Sequence, residues 1–398
     1  MGWCIIMKSC GVIVEYNPFH NGHRYHIQQA RLKSGADVVI AVMSGNFLQR
    51  GEPALLDKWA RAEMALAAGV DIVVELPVYS SVQAADYFAE GGIALLHALQ
   101  CDSFCFGSEN GKEKDFQQVA KWLIDEKEAF DLAFQMVKNS GSSYAAQVEA
   151  LLKEVYPTLS LNLSEPNNAL GLSYAKANLA YPKPMEMYTI KREKAGYHET
   201  TIQDLEFASA TAIRKSLIKK ESTVESVMPA SSLELVNQEK FVSWENYWQL
   251  LRYQIMVSTV DDLQQIYQMN EGIEFRLKEK VKEAETFTEF IGLVKNKRYT
   301  WTRIQRLCIY ILLQLKKTDV EASVEELKAI RVLGFTEQGR SYLKAKKTKI
   351  ELPIVTNLNA ANKNFFDLDI RAGFIYQLGN PHILPQDYRR KPIYQIKS

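Results

Sequence analysis

Net charge is scarce in this chain: 48 Lys and Arg stand against 47 Asp and Glu, leaving +1 over 398 residues with histidine neutral. That balance excludes a uniformly basic polyanion binder and confines any affinity for nucleic acid to a local patch. Cysteine is scarce too. Cys4, Cys10, Cys101, Cys105 and Cys308 are odd in number and lie mostly inside apolar runs, which excludes a disulfide framework and fits free thiols in a reducing compartment. Cys101 and Cys105 have a C-x-x-x-C spacing but no second ligand pair nearby, so buried strand positions are expected there rather than zinc. Long hydrophobic runs are missing, and nothing approaches the roughly 20 apolar residues that span a bilayer. The opening "MGWCIIMKSCGVIV" is interrupted by Lys8 and followed by Glu15, Asn17 and Pro18 without a small-residue cleavage site, which argues against a signal peptide. A soluble, cytoplasmic protein is expected.

What is present is an ordinary globular composition, 47% hydrophobic and 24% charged, on a chain long enough for two or three domains. "CGVIVEYN" reads as a buried strand and "HNGHRYHIQQARLKSG" as a helix stopped by glycine. The alternation continues with "ADVVIAVMSGN", "LLDKWARAEMALAAG", "VDIVVELP", "QAADYFAEGGIALLHAL" and "CDSFCFGSE". Short buried strands separated by helices imply parallel pairing through right-handed crossovers. Helical segments follow from about residue 113 to 156 and after "SEPNN"; "PMEMYTIKR" adds a strand and "ASATAIRKSLIKK" another helix. Beyond about residue 223 the segments are helix-like, with few strand candidates until "KIELPIVTNL". The expected architecture is α/β: a Rossmann-like doubly wound parallel sheet over 1–222 and a mainly helical domain over 223–398.

Only six histidines occur, yet His20, His23 and His26 fall within seven positions directly after the first strand. In open parallel sheets ligands bind beyond the carboxyl ends of the strands, at the topological switch point. A strand ending at Asn17 and a helix starting near His20 point backbone N–H groups and the positive helix end at that crevice, which suits phosphate. His20 and His23, three apart, share a face of the first turn. Gly22 between them lets a flat ring approach the backbone. A surface helix face accounts for His26.

The H-x-G-H of "HNGH" resembles the signature of the nucleotidyltransferase superfamily shared with class I aminoacyl-tRNA synthetases. The second signature of that superfamily, I-S-S-T-x-I-R in its small adenylyltransferases, is similar to "ASATAIR". Ser209, Thr211, Ile213 and Arg214 keep the register, while Ala208 and Ala210 depart from it. No K-M-S-K-S-like loop is found, against a synthetase. More narrowly, "VEYNPFHNGH", "MSGNFLQRGEPA", "DIVVELP", "EPNNALGLSYAKA", "IKREKAGYH" and "LGFTEQGRSYL" resemble the bacterial tRNA(Met) cytidine acetate ligase family over nearly the whole chain. Relative to that family the chain starts a little early, so Met7 offers an alternative start.

The resemblance implies that ATP and acetate form acetyl-adenylate and pyrophosphate, and that the acetyl group passes to the wobble cytidine of elongator tRNA(Met), giving N(4)-acetylcytidine. Acetate is already ionised at neutral pH, so the first step needs no general base; it needs in-line placement and neutralisation of charge on the phosphates. His20, His23 and Arg214 are the candidate catalytic groups, with Ser209 and Thr211 as hydroxyl donors. Ile13, Val14, Glu15, Tyr16, Asn17, Pro18, Phe19, His20, Asn21, Gly22 and His23 are expected to line the nucleotide crevice. The resemblance also places Gly107, Asn167 and Arg192 at the nucleotide; a strand-end turn, a helix cap and a solvated charge are their respective rivals. Ser44, Asn46, Gln49, Arg50 and Arg61 are candidates for acetate or cytidine contacts, against a loop followed by a solvated helix face. Mg2+ is expected with ATP, bound through phosphates and waters rather than a protein cage, and no structural metal is expected. Lys295, Lys297, Arg298, Arg303 and Arg306 around Tyr299 and Trp301 suit phosphate contact and base stacking, and "LKAKKTK" near Lys344 is a candidate extension. An adenylyltransferase making a dinucleotide and a tRNA-binding protein with an inactive nucleotide fold are the alternatives. No membrane and no obligate protein partner are inferred.

Overall fold

A computed structural model describes residues 7–128, 130, 132, 144–155, 161–192, 208–219, 221, 223–236, 241–324 and 327–396. The expected helical stretch from 113 to 156 and the "IKREKAGYH" segment lie partly outside these residues, as does Cys4.

The sheet is built on β1 (Ser9–Val14), β2 (Val38–Ser44), β3 (Ile72–Leu76), β4 (Ser103–Ser108) and β5 (Glu186–Lys191), all parallel to their neighbours, in the order β5-β4-β1-β2-β3. Every residue of β2 is buried, as expected for a parallel strand covered on both faces. Its side chains alternate between two cores. Val39, Ala41 and Met43 pack with Ile27 and Trp59, while Val38, Ile40 and Val42 pack with Phe88, Ile93 and Leu96. The first group comes from α1 (Asn21–Ser34) and α2 (Lys58–Ala67), the second from α3 (Ala85–Ala98). Each such side chain stabilises the fold by roughly 1.5–3 kcal/mol when fully buried. α4 (Pro166–Leu179) and α5 (Ala210–Ile218) complete this part of the chain. Because β1 pairs with β4 on one side and β2 on the other, the switch point lies at its carboxyl end.

The later part supplies α6 (Trp244–Val257), α7 (Phe287–Val294), α8 (Trp301–Leu312) and α9 (Asp367–Gln377). Trp244, Trp248, Leu251, Phe290 and Leu307 form a core there that also takes in Phe47 and Val82 from the first part. A further strand not expected from the sequence, β6 (Ile330–Thr336), runs antiparallel to β3, and β7 (Ile354–Val355) and β8 (Ile393–Gln395) pair with β6. The later residues therefore finish the same sheet. Short apolar runs such as "AIRVLGFT" have no period that separates a buried strand from a buried helix turn, which is why β6 was hidden.

A buried ionic cluster ties the end of the chain to this wall. Lys58 Nζ donates to Glu75 Oε1 and Oε2 at 2.8 and 2.9 Å and to Asp387 Oδ1 at 2.7 Å, all three side chains being at most 5% exposed. Burial pulls the Lys58 pKa down, but Asp387 and Glu75 outweigh it and keep the ammonium protonated. Nearby, the buried Asp369 carboxyl accepts the Val78 N–H at 2.7 Å and is pushed up to about 8, chiefly by burial and then by Glu75.

Candidate active site

Beyond Val14 the chain turns sharply, with Tyr16 at φ +53°, and buries Tyr16 and Phe19 edge-on at 4.7 Å. His23 rests against both rings, at 4.9 and 5.6 Å. His20 caps α1: its Nδ1 accepts the Gly22 N–H at 3.1 Å, while its own backbone N–H donates to His23 Nδ1 at 3.3 Å. The two imidazoles stack at 3.7 Å. With each Nδ1 acting as acceptor, a neutral ring carries its proton on Nε2. Neutrality follows from the surroundings. Burial pushes the His20 pKa down to about 3, with Arg192 and Arg214 adding to it. His23 is held well below its ordinary value by burial and then by His20, His26 and Arg192. His26 is lowered to about 4 by burial and Arg192.

Gly22 serves a different approach from the one expected. A Cβ there would stand 2.9 Å from His20 Cε1, so the ring that glycine admits is the imidazole of His20 itself.

The second motif meets the first. Ser209 caps α5 by accepting the Ala212 N–H at 3.1 Å. Arg214 donates from Nη2 to Thr211 Oγ1 at 3.3 Å and from Nη1 to the Asn17 carbonyl at 2.9 Å. It also lies 3.6 Å from Glu52. Two helix starts, two neutral imidazoles and a guanidinium thus share one crevice. Arg192 is exposed at the end of β5, hydrogen-bonded through its N–H to the Ser108 carbonyl at 2.9 Å. Its side chain lies by Gly107, where an added Cβ would be 3.5 Å from Arg192 Cγ, an ordinary contact. Protein packing does not demand glycine at that position. Asn167 is not a helix cap: its Nδ2 donates to Glu109 Oε1 at 2.6 Å, tying the start of α4 to the turn after β4.

The loop after β2 divides into supports and rim. Arg61 is fully buried, and its guanidinium donates to the carbonyls of Leu56 at 3.0 Å, Glu15 at 2.6 Å, Ser44 at 3.0 Å and Gly45. Asn46 is buried between Gln386 Oε1 and the Lys58 N–H. Ser44 is buried as well. These residues stand behind the crevice wall, not in a solvated helix face. Gln49 and Arg50 are half-buried at the rim. The Gln49 backbone N–H donates to Glu15 Oε1 at 2.8 Å. Burial pushes the Glu15 carboxyl up, opposed by that hydrogen bond and by Arg50 and Arg214. The side chains of Glu15 and Glu52 were not singled out from sequence, although a carboxylate one residue past a buried strand end is a readable signal.

In the later part, Lys295, Lys297 and Arg298 are exposed. Tyr299 is 2% exposed, its hydroxyl donating to the Asn270 carbonyl at 2.7 Å and its ring covered by Arg303 at 4.2 Å. It cannot stack on a base, which corrects the sequence expectation; Trp301, 37% exposed, can. The "LKAKKTK" run is also elsewhere: Lys346 bonds the Gln100 carbonyl and lies 4.0 Å from Asp102, at the amino end of β4. That is the opposite edge of the sheet from the crevice. Among the described residues no group of His, Cys, Asp and Glu side chains is arranged to hold a metal ion, and Cys101 and Cys105 are buried and free.

The model of the family described as HIGH Nucleotidyl Transferase matches residues 7–391. The chain is similar to the tRNA(Met) cytidine acetate ligase of Geobacillus sp. (strain WCH70), 42% identical over 403 residues, covering 98% of this chain and 100% of the relative. That of Bacillus subtilis (strain 168) is 42% identical over 383 residues, covering 94% and 92%. The crystal structure of Thermotoga maritima TmcAL (apo, form I) superposes with a TM-score of 0.91 at 34% identity, covering 98% of this chain and 100% of that one. The same protein bound with alpha-thio ATP (form II) gives 0.89 at 34% identity.

Proposed function

This chain belongs to the HIGH nucleotidyl transferase family and, within it, to the tRNA(Met) cytidine acetate ligases, and from that premise we propose how its crevice joins acetate to ATP and passes the acetyl group to tRNA. An acetate oxygen attacks the α-phosphorus, the bond to the β-phosphate breaks, and pyrophosphate leaves. The amine of the wobble cytidine in elongator tRNA(Met) then attacks the acetyl carbon, AMP departs, and the amine loses a proton to leave N(4)-acetylcytidine.

The observation that carries this reading is the stacked, neutral His20–His23 pair held next to Arg214 through the Asn17 carbonyl. Each ring offers an Nε2–H donor to phosphate oxygens without a charge that titrates near neutrality. Arg214 and Arg192 supply fixed positive charge, and Ser209, Thr211 and the starts of α1 and α5 supply further donors. Stabilisation of this kind, preorganised where charge develops, carries most of the barrier reduction in phosphoryl transfer. The backbone from Ile13 to Phe19, Gly107 and Asn167 frame the nucleotide. Gln49 and Arg50 face acetate or cytidine; Ser44, Asn46 and Arg61 hold the wall on which they stand. Mg2+ accompanies ATP through its phosphates. Residues 1–222 carry the chemistry and 223–398 hold the tRNA, through Lys295, Lys297, Arg298, Arg303 and Arg306. Among the described residues no helix is long and apolar enough to cross a membrane, and we place the enzyme in the cytoplasm, where its RNA substrate is.

Incubation with ATP, labelled acetate and individual tRNAs tests the proposal. The expected products are AMP, pyrophosphate and labelled N(4)-acetylcytidine from elongator tRNA(Met). A dinucleotide that retains the adenylyl group would overturn it in favour of an adenylyltransferase.

A further inference from the structure

Acetyl transfer frees a proton that the groups assigned so far are poorly suited to take. Both imidazoles present Nε2–H donors, because each Nδ1 already accepts a backbone N–H. Guanidiniums such as Arg192 and Arg214 have no acceptor atom at all. Thr211 Oγ1 and Ser209 Oγ accept hydrogen bonds from Arg214 at 3.3 Å and from the Ala212 N–H at 3.1 Å, and a neutral hydroxyl is a poor base beside a carboxylate. Glu109 is spent on the start of α4, its Oε1 on Asn167 Nδ2 at 2.6 Å and its Oε2 on the Asn168 N–H at 2.9 Å. Among the described residues the carboxylates that meet the rim or the cations of the crevice are those of Glu15 and Glu52. Glu52 lies 3.6 Å from Arg214, the cation assigned to phosphate.

Glu15 is placed differently. It follows β1 by one residue, at the switch point, and is anchored twice. Its Oε1 accepts the Gln49 N–H at 2.8 Å, which sets the carboxylate under the rim that faces acetate or cytidine. Its carbonyl accepts Arg61 Nη1 at 2.6 Å, from a guanidinium that is itself fully buried. The residue is half-buried. The ionisable groups that face it are Arg50 and Glu52 of the rim, Arg61 of α2, Tyr174 of α4 and Arg214 of α5. Burial raises the proton affinity of the carboxyl, and the Gln49 hydrogen bond, Arg50 and Arg214 work against it. A base strengthened by burial yet kept available by nearby cations suits proton removal near neutrality.

We infer that Glu15 is the general base of the second step, its carboxylate taking a proton from the cytidine amine as that nitrogen bonds to the acetyl carbon. The new C–N bond forms, the acyl C–O bond breaks with its electron pair left on the phosphate of AMP, and the proton rests on Glu15 until water removes it. The inference rests on the acetate ligase reading and deepens it by naming the proton acceptor. Acetate enters the first step already ionised, so the two steps depend on this carboxylate unequally.

That inequality is the test. Adenylation is measured as acetate-dependent exchange of pyrophosphate into ATP, and transfer as single-turnover acetylation of saturating elongator tRNA(Met) from synthetic acetyl-adenylate. Glu15→Gln, which keeps an acceptor for the Gln49 N–H, should slow transfer about a hundredfold or more and exchange less than about tenfold, with tRNA affinity held. Glu15→Asp should recover part of the transfer rate. Equal losses in the two steps would overturn the assignment, as would an undiminished transfer rate or a loss traced to tRNA affinity alone. So would the same inequality arising in Glu52→Gln and not in Glu15→Gln. If Glu15→Gln does not fold, as judged by thermal unfolding, Glu15→Asp decides by the same comparison: transfer slowed more than exchange supports the base, and equal losses overturn it. A wild type that acetylates no tRNA would instead sink the ligase reading itself.

Discussion

At the residue scale the proposed chemistry depends on imidazoles that do not ionise near neutrality. Replacing His20 by Ala should slow acetyl-adenylate formation by about a hundred- to a thousandfold, the usual loss for one preorganised donor, measured as acetate-dependent exchange of pyrophosphate into ATP. Because the His20 pKa is pushed down to about 3 and that of His23 well below its ordinary value, the same rate should show no limb between about pH 8 and pH 6; an inflection near 6.5 that disappears in His23→Asn would refute the neutral pair. Stability follows the opposite side of the linkage. The unfolded histidines take up protons first, so the folded state loses stability as pH falls below about 6.5 and continues to lose it until the folded values are reached. Gly107→Ala separates packing from binding: an added Cβ meets only ordinary contacts, so the melting temperature should hold while ATP affinity falls about tenfold, if the space is the nucleotide's.

What could be read at this scale was what lies close in sequence. His20 and His23 are a short motif whose spacing brings both rings to one crevice, whereas Gly22 turned out to make room for the His20 ring itself. Arg61 and Lys58 were opaque for the converse reason. On an amphipathic helix a charged residue reads as solvated, and only the fold reveals that Arg61 is spent on backbone carbonyls and that the partner of Lys58 is Asp387. Tyr299 misled in the same manner, since an aromatic among basic residues looks available until its burial under Arg303 is seen.

Among elements, β1 to β5 were legible because strands buried on both faces spell unbroken apolar runs. β6 was not, being a short apolar run whose spacing does not tell a buried strand from a buried helix turn. The start of α9 carries a testable consequence. Asp369, pushed up to about 8, is protonated at neutral pH. A folded pKa above the unfolded one means stability present at lower pH and lost as pH rises through the folded value. The melting temperature should therefore decline as pH rises from about 4 to about 8 and level off above that, and Asp369→Asn, which keeps an acceptor for the Val78 N–H, should flatten that decline.

On the scale of the whole molecule, the crevice wall is finished by residues far down the chain. Lys58→Met would leave Glu75 and Asp387 buried without their counter-charge, a loss of about 3–5 kcal/mol for a broken buried pair. Denaturant midpoints should show it, and combining Lys58→Met with Glu75→Gln and Asp387→Asn should regain a large part. This cluster also sets a schedule for synthesis. While a ribosome is still extending the chain, the ammonium of Lys58 has only half of its eventual company, and β3 lacks the antiparallel neighbour that β6 provides. A nascent polypeptide released short of Asp387 should accordingly stay sensitive to proteases in its leading half, and adenylating activity should emerge abruptly once Asp387 has been translated rather than with the histidines.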